Sequence, residues 1–371
     1  MVVVEVVTMA DQQMNDYDVL VVGGGAAGLS GALALARARR SVLVIDAGAG
    51  RNAPAGHVHN YLGREGTPPA ELLAAGRAEV TGYGGEVVTG SVTSAEPLPG
   101  LDGQDAGFRV ELADGSSVAA RRLLVTTGLV DELPGVAGVT ERWGRDVLHC
   151  PYCHGWEVRD QALGVLATGP MGVHQALLFR QWSPDVTLFL HTAPGPTDEQ
   201  WEQLGARGIS VVDGKVAGLE VSDDRLTGVR LSSGKVIARQ AVVVMPRVHT
   251  RADVLTGLGL EPAEQRVGDQ VIGSYVPADP AGATAVPGVW VAGNVTDPFA
   301  AVINAAAAGL TTAAAINADL IAEDTRHAVT LRRTQREQPM TMAEVFSPQA
   351  ERDNCERILG ARRHGLHDTH R

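Results

Sequence analysis

The sequence predicts an α/β protein built of two Rossmann-like three-layer units, on two observations. An apolar strand at 17–22 runs into Gly23-Gly24-Gly25-Ala26-Ala27-Gly28, a helix-like LSGALALARARR and a second apolar strand ending at Asp46. From about 140 to 250 the same order starts again, with ALGVLAT, VHQALLFRQW and VTLFLHT in turn. Unbroken apolar runs mark strands covered on both faces, and strands alternating with helices mark parallel sheets.

In the first unit each glycine has a mechanical task. Gly23 permits a tight turn, Gly25 lets backbone approach a pyrophosphate, and Gly28 lets helix and strand pack closely. The helix start at Ala26–Leu29 offers free N–H groups and the positive dipole end to phosphates. Asp46, 18 positions after Gly28, is placed to accept hydrogen bonds from an adenosine ribose. A dinucleotide site is therefore expected here. A loop containing GHVHNYLG follows at 48–66, then a helix over 69–82 and strands near 86–92, 108–112 and 117–119. RRLLVTTG (121–128) is a further buried strand, and the Pro/Gly-rich LPGVAG (133–138) marks a boundary.

The turn of the second unit is Thr168-Gly169-Pro170-Met171-Gly172-Val173. Its glycine spacing is wrong, and Pro170 removes an N–H where a pyrophosphate needs one. The next strand ends HTAPGPT, without a ribose-binding acid or an arginine for a 2′-phosphate. This unit keeps the shape of a nucleotide domain without its ligand chemistry. Near the end, GVWVAGNV (288–295) predicts a strand and turn, and 301–324 an Ala-rich helix whose small side chains require close packing. Residues 1–15 are expected to be an extension and 326–371 a tail, with a short helix around Glu351–Leu359.

With 31 Lys and Arg against 43 Asp and Glu, the net charge of −12 argues against nucleic acid or an anionic membrane as partner. Three cysteines in 371 residues cannot form a disulfide framework, so a reducing cytoplasm is the expected setting. The N-terminal apolar run lacks a basic flank and is broken by Glu5, and no uncharged apolar run is expected to span a bilayer. A soluble cytoplasmic protein follows.

Two of the cysteines form Cys150-Pro151-Tyr152-Cys153. Zinc needs four ligands, and with His154 as a third the fourth is missing. CPYC is also the glutaredoxin motif, which in that fold follows the first strand. Two inert buried thiols are the remaining alternative, but Pro, His, Trp and Glu around them are poor core filler. Redox activity is the better reading, since cysteines at i and i+3 near a helix start can pair and stabilise one thiolate. His154 suits proton transfer near neutral pH, against the plainer role of a hydrogen-bonded structural histidine.

Taken together, GGGAAG, the T-T-G strand end, the C-x-x-C and the late strand–Gly–Asn–helix resemble the low-molecular-weight thioredoxin reductase family over about residues 17–325. That resemblance implies an FAD-binding domain at 16–130 and 251–325, interrupted by a degenerate NAD(P)-binding-like domain at 131–250. Cys150-Pro151-Tyr152-Cys153-His154 stands where the family has C-A-T-C-D, and the second glycine turn is broken. Both departures resemble the branch of FAD-dependent dithiol oxidases of the gliotoxin and holomycin type. These close disulfides in natural products, pass the electrons to O2 and release H2O2.

The resemblance places Gly23, Gly25, Ala26, Ala27, Gly28 and Asp46 at the adenosine diphosphate of FAD, Asn60 near the flavin, and Thr127-Gly128 at a second contacting turn. Gly293 matches the glycine of a family Gly-Asp pair, and Asn294 replaces its acid. Ala301, Val302 and Ile303 would face the isoalloxazine. Cys153 becomes the flavin-proximal sulfur, Cys150 the exchange-reactive one, and His154 takes the place of the family's acid/base Asp. Glu157 is a candidate to orient His154; Trp156, His57, His59 and Asn304 are candidates to line the pocket. A homodimer acting on a small dithiol is implied. The rivals are an NAD(P)H-dependent disulfide reductase and a flavin redox sensor or dithiol-sequestering self-protection protein.

Overall fold

A computed structural model describes residues 16–98, 107–337, 348 and 350–352. The expected extension at 1–15, Cys355 and most of the tail lie outside the described residues. The first segment runs β1 (Asp16–Val22), α1 (Ala26–Arg37), β2 (Val42–Asp46), α2 (Pro69–Gly82), β3 (Glu86–Thr89), β4 (Val92–Leu98), β5 (Gly107–Leu112), β6 (Ser117–Val125) and β7 (Leu129–Glu132). The middle runs α3 (Val139–Arg142), β8 (Val147–Leu148), α4 (Pro151–His154), β9 (Leu163–Leu166), α5 (Met171–Phe179), β10 (Val186–Phe189), α6 (Asp198–Ala206), β11 (Ser210–Val212), β12 (Val216–Ser222), β13 (Arg225–Leu231), β14 (Val236–Ala238) and β15 (Ala241–Val244). The last segment holds β16 (Arg247–Thr250), α7 (Asp253–Gly257), β17 (Ala263–Val267), β18 (Gln270–Tyr275), β19 (Val289–Val291) and α8 (Val302–Glu337).

The first sheet has the order β3-β2-β1-β6-β5-β4, with β19 added to the end of β6. β1 is parallel to β2 and β6, whereas β5 returns antiparallel. β1, β2, β19 and the end of β6 are apolar without alternation because both faces are covered there. Tyr17, Leu20 and Val22 enter a core with Phe108, Leu255 and Val276. Val19 and Val21 enter another with Leu35 of α1 and Ile316 and Leu320 of α8. The second sheet, β11-β10-β9-β15-β8, is parallel throughout. One face carries α5 and α6, and the other the antiparallel β12-β13-β14.

The chain enters this second unit after β7 and leaves it at β16. Those two strands pair antiparallel, Val248 opposite Asp131, so the two crossings are tied together. The predicted two-unit α/β class is borne out, with one unit inserted in the other. The strand expected at 86–92 divides into β3 and β4, and those expected at 117–119 and 121–128 merge into β6.

α8 departs most from expectation. It continues to Glu337 rather than ending near 325, because no glycine or proline interrupts 310–338. Three arginines also anchor it: Arg40 binds Asp324 at 2.8 Å, Arg121 binds Glu323 and Asp324, and Arg122 binds Asp319 at 2.6 Å. Over Val302–Thr334 the helix is long and apolar enough, by length and composition, to cross a membrane, which corrects the expectation that no such run exists. Its small residues serve packing against α1. A Cβ on Gly309 would lie 2.0 Å from the Ala27 carbonyl oxygen, so the two backbones nearly touch.

Candidate redox site at the Cys150–Cys153 turn

The glycine turn is built as its spacing predicts. Gly23 has φ +106°, a value that favours glycine, and a Cβ on Gly28 would lie 1.9 Å from the Gly23 oxygen. Above Gly25 the space is open, with nothing within 4 Å of its built Cβ. Gly25 caps α1 without a side chain, so the first-turn N–H groups remain donors for an anion. Asp46 lies against Gly24, and its carboxylate receives Arg77 Nη2 at 2.7 Å. Sequence reading missed that arginine, which sits a further 31 residues along.

Of the other expected contact residues, Thr127, Gly128, Gly293 and Asn294 follow the C-terminal ends of β6 and β19, where ligands of such sheets bind. Thr126 Oγ1 donates to the Gly23 oxygen at 2.7 Å, and Thr127 Oγ1 donates to the Arg251 oxygen at 2.6 Å. A Cβ on Gly293 would lie 2.9 Å from that of Ala27, bringing this turn and the Ala301–Val302 start of α8 beside the start of α1. Asn294 Nδ2 donates to the carbonyls of Asp297 and Ala300 at 3.0 and 3.1 Å. Its Oδ1 is left as an acceptor for a hydroxyl.

Cys150 and Cys153 form a disulfide, with Cα atoms 5.3 Å apart. The turn stands at the C-terminal end of β8. Cys150 is the N-cap of α4, and its sulfur accepts the Cys153 N–H at 3.2 Å. α4 has only four residues, too few for the expected dipole; this single N–H is the local donor to sulfur. The backbone N–H of His154 bonds the Cys150 oxygen at 3.1 Å. Both His154 ring nitrogens are buried and make no hydrogen bond among the described residues. Burial lowers its pKa, with His59 acting the same way and Glu157 opposing. At neutral pH the imidazole is thus a base.

The expected Glu157–His154 hydrogen bond is absent: Glu157 Oε1 lies 3.4 Å from His59 Nε2 instead. α4 ends at His154, so Glu157 is not on its helical turn. His59 Nδ1 lies 2.6 Å from Glu65 Oε1, whose other oxygen accepts the Asn60 N–H at 2.8 Å. Asn60, at φ +59°, donates from Nδ2 to the Tyr152 carbonyl. The 57–65 loop is thereby stitched to the dithiol turn. His57 is 6.1 Å from His59, ring to ring. Trp156 is exposed, with the Arg159 guanidinium 4.1 Å over its ring, and Asn304 is exposed on the first turn of α8.

Sequence reading passed over His149, beside Cys150. Its ring meets Trp143 edge-on at 6.4 Å. Behind it Arg51 forms a bidentate pair with Asp131 at 2.8 and 2.7 Å. Burial first, and then Arg51, push the His149 pKa down to about 4. An unfolded chain protonates this side chain below about pH 6.5, whereas the folded one waits until about pH 4. Stability therefore falls as pH falls through that window. His149→Gln should flatten the plot of Tm against pH between those values; an unchanged slope would show that His149 does not set it.

Beyond its glycine spacing and Pro170, the Gly169 turn differs from the Gly23 turn in a further respect. A Cβ on Gly169 would lie 2.3 Å from Gln270 Oε1, so a side chain from the other unit covers it. A cavity of about 320 Å³ lies alongside, lined by Thr168, Met171, Gln175, Met245 and Arg247 among others.

Residues 17–309 match the pyridine nucleotide-disulphide oxidoreductase family. A thioredoxin reductase of Claviceps purpurea, tcpT, is 32% identical over 67% of this chain and 78% of its own length. Thioredoxin reductase sirT of Leptosphaeria maculans is 28% identical over 83% of this chain and 95% of its own. The crystal structure of HlmI superposes with a TM-score of 0.79 and 48% identity, covering 87% of this chain and 98% of that one. These neighbours bear out the resemblance drawn from the glycine turns and the Cys150–His154 motif. The open Gly25 face, the uncapped start of α1 and the Asp46 carboxylate also fit the adenosine diphosphate of FAD. The chain belongs to the pyridine nucleotide-disulphide oxidoreductase family, as a thioredoxin-reductase-like flavoprotein that binds FAD.

Proposed function

We propose that the protein is an FAD-dependent dithiol oxidase that closes an intramolecular disulfide in a small dithiol, with O2 as final acceptor and H2O2 as product. The observation that carries this reading is the pairing of a disulfide-forming Cys150-x-x-Cys153 turn with a His154 whose ring nitrogens bond nothing among the described residues. The cover that Gln270 places over Gly169 supports it from the nucleotide side.

In this reading a substrate thiol gives its proton to His154, and the thiolate attacks the sulfur of Cys150. The Cys150–Cys153 bond breaks and its electron pair goes to Cys153. The substrate's second thiol, once deprotonated, attacks the substrate sulfur of the mixed disulfide and releases Cys150 as thiolate. Two electrons and two protons have then left the substrate. FAD, when bound, supplies the two-electron acceptor that restores the disulfide. The Cys153 N–H steadies charge on Cys150 sulfur, and His154 holds or returns the proton. The reading includes a homodimer in the cytoplasm, supported by the family resemblance and the cysteine usage.

Anaerobic titration separates the readings. Dithiothreitol, as a model dithiol, should bleach the visible absorbance of the flavin, and NADPH should not. Rapid reduction by NADPH alone would favour a disulfide reductase, as the relatives' names describe. In air, where O2 can reoxidise the flavin, dithiothreitol oxidation that stops after about one equivalent would favour a redox sensor or sequestering protein.

A further inference from the structure

The peptide group between Tyr152 and Cys153 is engaged at both ends. Its N–H is the one that the Cys150 sulfur accepts at 3.2 Å, and its carbonyl accepts from Asn60 Nδ2. The two preceding carbonyls, of Cys150 and Pro151, are taken inside the turn by the N–H groups of His154 at 3.1 Å and Gly155 at 2.7 Å. α4 ends at His154, so the Tyr152 carbonyl is left to a partner from elsewhere. That partner is firmly held. The Val58 N–H donates to the Thr67 oxygen at 2.8 Å and the Gly66 N–H to the Val58 oxygen at 2.9 Å, which closes the loop around Asn60. Inside it the Asn60 N–H donates to Glu65 Oε2 at 2.8 Å. Its φ of +59° is left-handed, a conformation asparagine adopts more readily than most residues. Earlier in the same loop Pro54 also meets the dithiol unit, since a Cβ on Gly144 would lie 3.0 Å from the Pro54 oxygen.

We propose that Asn60 is a positioning residue that acts on Cys150 through the Tyr152–Cys153 peptide: by donating to the carbonyl it strengthens the N–H at the other end, and so stabilises Cys150 as a thiolate. A hydrogen bond accepted at a peptide oxygen draws electron density from the nitrogen, and bonds in such a chain reinforce one another. A thiolate accepts an N–H more strongly than a disulfide sulfur does, so the effect is largest when Cys150 is released. In the exchange reading, on which this proposal rests, release comes when the substrate's second thiolate closes the substrate disulfide. The substrate S–S bond forms, the bond from substrate to Cys150 breaks, and the electron pair of the broken bond stays on Cys150.

The test reads the two thiols one at a time, in full-length protein supplied with excess FAD. With Cys153→Ser present, the pH dependence of iodoacetamide alkylation, followed on the Cys150 peptide by mass spectrometry, gives the Cys150 pKa. The N–H at position 153 is backbone and survives that change. Asn60→Gly suits the positive φ and deletes the amide. It should raise the Cys150 pKa by about 0.3 pH unit or more and slow alkylation at lower pH about twofold. With Cys150→Ser present instead, the Cys153 pKa should move by no more than about a third as much, because the donor that Asn60 strengthens points to position 150. His149 and His154 flank the cysteines in the chain, and His59, Glu65, Glu157 and Arg51 bring further charge nearby. A change in their field would move both thiols, whereas the peptide relay moves one. Equal shifts at the two thiols, or none at Cys150, would overturn the proposal. Asn60→Ala keeps the test decisive should Asn60→Gly fold poorly. Alkylation needs no turnover, so failure to oxidise dithiothreitol would sink the exchange reading while the two pKa values still decide the role of Asn60.

Discussion

Cys150→Ser and Cys153→Ser should each lower dithiol oxidation by about a thousandfold or more while the protein stays yellow. Neither serine can form a disulfide, so the electron pair leaving the substrate has no sulfur–sulfur bond to enter. The FAD contacts expected at Gly23–Gly28, Asp46 and Asn294 lie in the other unit, and a hydroxyl at position 150 can still accept the Cys153 N–H that Cys150 now accepts. Cofactor content should therefore survive when activity does not. Oxygen uptake with dithiothreitol measures the first quantity and flavin absorbance the second. Full activity in either variant would show that the pair is not the electron port.

Gly309→Val should be the most damaging single change away from the dithiol turn. Even the first carbon of the new side chain would sit 2.0 Å from the Ala27 carbonyl oxygen, and rigid backbone cannot swing aside as a side chain can. Separating α8 from α1 should cost about 3 kcal/mol or more. Ala27 lies in the first turn of α1, two residues after the open Gly25, so the displacement reaches the dinucleotide turn. Loss of FAD and a lower Tm are expected together. Gly205→Ala in α6 is the control, since nothing lies within 4 Å of its built Cβ; it should leave Tm unchanged or slightly raised. A Gly309→Val protein that kept its FAD and Tm would show that the helix crossing tolerates expansion.

What could be foreseen from sequence was local. The turn from Gly23 to Gly28, the acid at Asp46 and the cysteine spacing each follow from a few consecutive residues, and each folds as expected. The early end given to α8 came from setting a tail at 326–371, but the first part of that stretch continues a helix already tethered by Arg40, Arg121 and Arg122. The approach of His59 to Glu157 escaped notice because Glu157 lies far along the chain from the GHVHN loop, and only the fold brings them together. His154 invited pairing with Glu157 on grounds of spacing, but the helix stops before that spacing can operate. Gln270 gave no signal at all. It meets Gly169 across the junction of two units, and no periodicity encodes such a meeting.

That meeting makes Gln270 an occupant the protein supplies to itself. A tethered side chain competes for its seat at an effective concentration on the order of millimolar, whatever the enzyme's own concentration. A dinucleotide approaching the Gly169 turn must first evict it, and its apparent affinity drops in proportion to how seldom the seat is vacant. Diluting the protein weakens every free competitor but leaves this one in place.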